Sequence, residues 1–217
     1  MRPERQKLRT CAARLAAAAL CMLALCAPSL AQDGADRDIN RIEKETGVRP
    51  PLINTKPLED IAAEARRLVD DGRLGADARL DVSVKAEVND DGSLRQDTTV
   101  FTWTTGSGEA VASLAQRFVL ALGESKLLHM LEGAKEVTLR LRLDETSAHF
   151  AASAEMPSAE RARQLADGYG AILKIATLNK RGTRAGELYK RLRFESDGSR
   201  FAFTFEAPRE ELRGIID

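Results

Sequence analysis

Hydrophobic and polar positions change period several times along this chain, and each change marks an element. From Leu80 the apolar residues Leu80, Val82, Val84, Ala86 and Val88 alternate with Asp81, Ser83, Lys85 and Glu87. A period of two puts one set on a buried face and the other in water, which predicts a strand. Asn89-Asp90-Asp91-Gly92 is a strong turn signal. A second strand is expected around Thr98 to Thr104, containing Phe101 and Trp103. The period then becomes helical, with Val111, Leu114, Ala115, Phe118, Val119 and Leu122 on one face. Gly123 ends this helix, and Ser125 suits the cap of a short helix through Leu131.

The same order returns. Val137, Leu139, Leu141 and Leu143 alternate with Thr138, Arg140 and Arg142; a turn at Asp144-Glu145-Thr146 leads to Ala148, Phe150, Ala152 and Ala154. Pro157-Ser158 opens a long helix carrying Ala162, Leu165, Ala166, Tyr169, Ile172, Leu173 and Ala176. After a loop from Asn179 to Gly186, a strand with Leu192 and Phe194 meets the turn Ser196-Asp197-Gly198. Phe201, Phe203 and Phe205 mark the last strand, and Pro208 opens a short helix with Leu212, Ile215 and Ile216. At each strand-to-helix junction a chain breaker precedes a glutamate by three positions: Gly106 and Glu109, Pro157 and Glu160, Pro208 and Glu211. The breakers stand 51 residues apart in both intervals. A glutamate in the first helical turn meets free N–H groups and the positive end of the dipole. Strand–strand–helix units at 79–132, 135–180 and 187–217 are the simplest parse, with coincidence of a common motif as the competing one.

Upstream, Pro57 opens a further helix whose Leu58, Ile61, Ala62, Ala65, Leu68 and Val69 share one face, and Gly72 can end it. Six alternating strands with one-faced helices predict an α+β fold: an antiparallel sheet of about six strands, covered by helices on one face and wet on the other. The domain is expected over 57–217. Residues 32–56 are expected to be a polar tail, or a short weak helix carrying Ile39 and Ile42, followed by a linker at Gly47-Val48-Arg49-Pro50-Pro51.

The first 31 residues change the picture most. Arg2, Arg5, Lys7, Arg9 and Arg14 form a basic start, Leu15 to Leu25 is uninterrupted apolar sequence, and Pro28 precedes Ser29-Leu30-Ala31. That order is the export signature, and it places the working protein in the periplasm or outside the cell. The apolar run is too short to span a bilayer, which needs about 20 residues. A retained anchor is the alternative, and lipid attachment at Cys21 or Cys26 another, although Leu20 and Leu25 stand where a lipoprotein leader has a small residue. All three cysteines lie in this leader, so the mature chain has no thiol for a disulfide, a thiolate nucleophile or a metal site. Cleavage takes five basic residues and one acidic residue from the 33 of each, leaving 28 against 32 and a net charge of −4. That balance argues against nucleic-acid binding, which rests on clustered positive charge.

Signatures of chemistry are sparse. His129 and His149 are the two histidines, and neither has a second ligand at metal spacing. Gly106-Ser107-Gly108-Glu109 lacks the lysine of a phosphate loop, and Ser107 is in no nucleophile elbow. The acids of Asn89–Gly92 do not have calcium-loop spacing. No catalytic residue, cofactor site or metal site is therefore expected. One uneven feature is a basic excess between Lys174 and Arg200. Its candidate partner-binding residues are Lys180, Arg181, Arg184, Lys190, Arg191 and Arg193, facing an acidic partner or an anionic envelope component.

Residues 80–119 carry an alternating strand with Val82 and Val84, the Asp91-Gly92 turn, a second strand, and Thr105-Gly106-Ser107-Gly108 before an Ala-rich helix. This stretch resembles the C-terminal domain of TonB-type energy transducers. The resemblance implies a periplasmic setting and a domain that pairs edge strands with envelope partners. It covers about forty residues, and the aromatic-proline segment usual after that helix is absent. The expectation is an exported, non-catalytic binding or interaction protein of the bacterial cell envelope. A periplasmic hydrolase with an unrecognised carboxylate or hydroxyl site is the alternative.

Overall fold

A computed structural model describes residues 35–75, 78–106 and 108–209. The expected leader, and the helix expected after Pro208, lie outside these residues. The fold is α+β, with six strands in one antiparallel sheet: β1 (Leu80–Glu87), β2 (Val100–Gly106), β3 (Glu136–Leu143), β4 (Ser147–Glu155), β5 (Leu192–Asp197) and β6 (Arg200–Pro208). Their order across the sheet is β2-β1-β3-β4-β6-β5. The helices are α1 (Ala35–Thr46), α2 (Lys56–Asp70), α3 (Gly108–Glu124), α4 (Ala159–Asn179) and α5 (Arg184–Tyr189).

Alternation in the strands becomes two faces of the sheet. In β1, Leu80, Val82, Val84 and Ala86 are buried; opposite them in β3 stand Leu143, Leu141, Leu139 and Val137, buried too. Phe201, Phe203 and Phe205 of β6 face Ala154, Ala152 and Phe150 of β4. Ala152 and Ala154 of β4 thus make room for Phe203 and Phe201 of β6, which is how facing positions reach native packing density. Phe118 of α3 meets the Phe150 ring edge-on with centroids 6.0 Å apart, and Phe150 lies 5.4 Å from Phe203. One aromatic chain therefore ties a helix to two strands.

Three hairpins, β1–β2, β3–β4 and β5–β6, build the sheet. Neighbouring hairpins meet first strand to first, β1 with β3, and second strand to second, β4 with β6. A two-fold axis normal to the sheet generates that arrangement and keeps the helices on one side. The last hairpin turns through Gly198-Ser199, with Gly198 at φ 56°, the position where a type II′ turn wants glycine. In the middle hairpin the Asp144 carboxylate accepts the backbone N–H groups of Thr146 and Ser147, each at 2.9 Å. The first hairpin needs a long connection, Val88 to Thr99. It lies against the short 3-10 turn Leu127–Leu131, where a Cβ on Gly92 would come within 2.5 Å of the His129 backbone nitrogen.

Two differences from the sequence reading concern helices. The short helix that was one alternative for the polar segment forms as α1; what was not expected is that it packs on α4 and carries Ile42 into the core. Val48, just beyond it, is buried as well. The reason is Gly168 on α4: a Cβ there would lie 2.6 Å from the Val48 Cβ and 2.8 Å from the Thr46 hydroxyl. A stripe too thin to predict docking is enough when the receiving helix has a notch. The loop expected from Asn179 to Gly186 is interrupted by α5, whose cap is the Thr183 hydroxyl accepting the Gly186 N–H. Leu188 and Tyr189 are its buried contribution.

Gly168→Ala forces the α1 segment off α4 and costs roughly 1–3 kcal/mol in urea unfolding, the cost of overpacking a tight site. In the middle hairpin the Thr146 and Ser147 backbone N–H groups hold the Asp144 carboxyl at about 2, below the usual carboxylate range. A carboxylate whose folded pKa is depressed stabilises the fold above its unfolded value, and that contribution is lost as pH falls from about 4 to 2. Asp144→Ala accordingly lowers the melting temperature at neutral pH and flattens its decline between those limits.

Candidate interaction surface

The two edges of the sheet differ sharply. β5 carries Arg193, Glu195 and Asp197 on its outward face, and α4 packs closely beside it. Tyr169 of α4 lies 5.5 Å from Phe194, ring to ring, and the Arg193 guanidinium donates to the Lys190 carbonyl at 3.1 Å. Charge and covering side chains are the usual protections of an edge.

β2 has neither. From Thr98 through Gly108 no residue carries a charge, in a chain of which 30% of residues are charged. Its position follows from β1, which gives one side to β3 and the other to β2. Val82 pairs with Trp103 and Val84 with Phe101, so the two aromatic rings lie on the helix side of the sheet. They stack on each other, with centroids 6.1 Å apart and planes 13° from parallel. Even so, Trp103 is 36% exposed and Val100, on the opposite face, 60% exposed. A register shift between Asp81 and Val82 leaves Thr104 as an extra residue. Such a bulge adds local twist without blocking the edge.

The open face of the sheet is polar. Along its middle run small side chains, Ser83, Thr138, Ala151, Ser153, Ala202 and Thr204, and around them stand paired charges. Arg140 donates twice to Asp81, at 3.1 and 3.3 Å, and Arg142 lies 3.3 Å from Asp144.

The expected basic residues separate into groups. Lys190, Arg191 and Arg193 border a hollow shared with His149, Glu187 and Glu206. There Lys190 is engaged by Glu187 at 2.7 Å. Lys180 and Arg181 follow the end of α4 and do not line this hollow, and the Arg184 side chain is outside the described residues. A second hollow gathers ionisable groups that the sequence scattered: Glu43, Arg49, Asp91, Lys126, His129, Glu132, Arg161 and Tyr169. Arg49 lies 3.8 Å from Glu43 and Arg161 lies 3.7 Å from Glu132, so its charges are largely matched. Burial holds the Tyr169 phenol protonated well above its ordinary range. No serine, threonine or cysteine among the described residues lines that hollow. Among the described residues no group of three or more His, Cys, Asp or Glu side chains is placed to hold a metal. Among those residues, too, no helix is long and apolar enough to cross a membrane.

No family model matches the chain, and no curated protein or solved structure shows significant similarity to it. The surface geometry is therefore the ground for a functional reading, and the β2 edge is its least ordinary part. The lack of charge from Thr98 to Gly108 stands in the sequence but is not singled out there, because strand order alone decides that these residues form an edge. Thr102→Lys on β2 changes unfolding free energy by no more than about 0.5 kcal/mol, as exposed substitutions do. Leu139→Ala on buried β3 costs about 2–5 kcal/mol. Paired denaturation curves check the contrast.

Proposed function

We propose that this chain is an exported, non-catalytic interaction protein of the bacterial cell envelope that takes up an extended polypeptide segment on β2. The observation that carries this reading is the uncharged, uncovered strand at one edge of the sheet, against a charged and helix-flanked strand at the other. A bare edge offers a row of backbone donors and acceptors, which supply affinity to any added strand, while side chains on alternate positions supply selectivity. Here selectivity would come from the Phe101–Trp103 platform on one face and Val100 and Thr102 on the other. The resemblance of residues 80–119 to the TonB-type domain agrees with it, because β1, the Asp91-Gly92 turn, β2 and the start of α3 are the parts concerned. Export rests on the basic, apolar and small-residue order of residues 1–31.

A photo-crosslinking amino acid placed at Thr102, and separately at Glu195 on β5, tests the reading in cells that express the full chain. Covalent adducts to a polypeptide are expected from position 102 and not from 195. Absence of adducts at 102, or equal yields from both edges, overturns it.

A further inference from the structure

We propose that the strand received by β2 is β2 of a second copy of this chain, paired antiparallel about a two-fold axis at Thr102. This rests on the reading that β2 takes up a strand, and it names the partner.

Charge is the first argument. An antiparallel self-pairing sets each residue of the strand against another residue of the same strand, so a single ionised side chain near the centre would repel its own copy or be left unpaired. From Thr98 through Gly108 there is none. Like charges directly opposite are destabilising, and neutral β-branched and aromatic pairs are favourable. With the axis at Thr102, Phe101 of one copy stands opposite Trp103 of the other, twice over, and Thr102 opposite itself. All four rings then lie on the helix side, where each copy's stacked pair is now partly open. Aromatic pairs in contact contribute about 0.5–1.5 kcal/mol beyond the area they bury.

Topology is the second. Within the chain, β4 and β6 already meet second strand to second strand, as a two-fold normal to the sheet requires. Joining β2 to β2 repeats that seam between molecules and leaves both helical layers on one side of a continuous sheet. The contact is isologous, so it closes after two copies. The charged outward face of β5 and the helix beside it guard the remaining edges against further addition.

Light scattering on the purified full chain gives the first measurement. Twice the chain mass is expected at roughly 100 µM, with dissociation on dilution. Thr102→Lys and Thr102→Glu each set like charges across the axis and weaken self-association roughly fivefold. Mixing the two variants sets lysine against glutamate and restores the double mass. Circular dichroism and the melting temperature, measured on both at a dilution where the parent is dissociated, are expected to match the parent because position 102 is exposed in the single chain. A monomeric parent, variants as dimeric as the parent, or a mixture no more associated than its components overturns self-pairing. If the parent is monomeric while crosslinks from position 102 reach a different polypeptide, self-pairing fails and strand uptake stands. A monomer that yields no crosslinks refutes both. The parent mass depends on no variant, so a substitution that unfolds the chain leaves the result readable.

Discussion

A sheet with a single layer of helices has one dry face, and every strand must satisfy that constraint at once. Here the dry face is organised around Phe150, which touches Phe118 of α3 edge-on and Phe203 of β6 at 5.4 Å. The contact fixes which side of β4 is inward and, through the ladder, which side of every other strand. A slip of one residue would exchange the apolar set of β1 for Asp81, Ser83, Lys85 and Glu87. The burial of Leu139, Ala152 and Phe201, none measurably exposed, depends on that register.

The same constraint leaves the edges unequal. α4 lies over the β5–β6 end of the sheet, so Phe194 is held against Tyr169 and Phe201. At the other end, β1 is buried on the helix side, but β2 reaches past that cover and keeps Trp103 partly in solvent. A strand whose stability comes mainly from one neighbour is free to vary in composition, and the composition found is neutral and aromatic rather than charged. That composition is what the proposed uptake of a strand on β2 asks for.

Much of this architecture was legible in the alternation of residues. Val82, Leu139, Phe150 and Phe203 declare their faces by period alone, and Pro157-Ser158 declares the start of α4, where Ser158 does accept the Arg161 N–H. What escaped was information held between distant residues. α1 docks because Gly168, far along the chain, leaves room for Val48, and no local pattern around Ile42 says so. The hollow of His129, Arg161 and Tyr169 is assembled from several separate segments. The basic excess near α5 looked like one patch in linear order, yet among its described side chains only Lys190, Arg191 and Arg193 share a hollow. The edge position of β2 was hidden for the same reason: alternation identifies a strand but not its neighbours.

The three hairpins also bear on how the chain reaches this structure. Each closes between segments adjacent in sequence, and such closures take microseconds. The seams β1–β3 and β4–β6 join residues such as Val82 and Leu141, or Phe150 and Phe205, that are far apart in the chain. Loop-closure entropy must be met at those seams before their contacts form, so they set the folding rate. Phe150 belongs to the second seam and touches the helix that follows the first hairpin. Its substitution is therefore expected to slow folding as well as hasten unfolding, since the same side chain that orients the sheet also lies on its long-range seam.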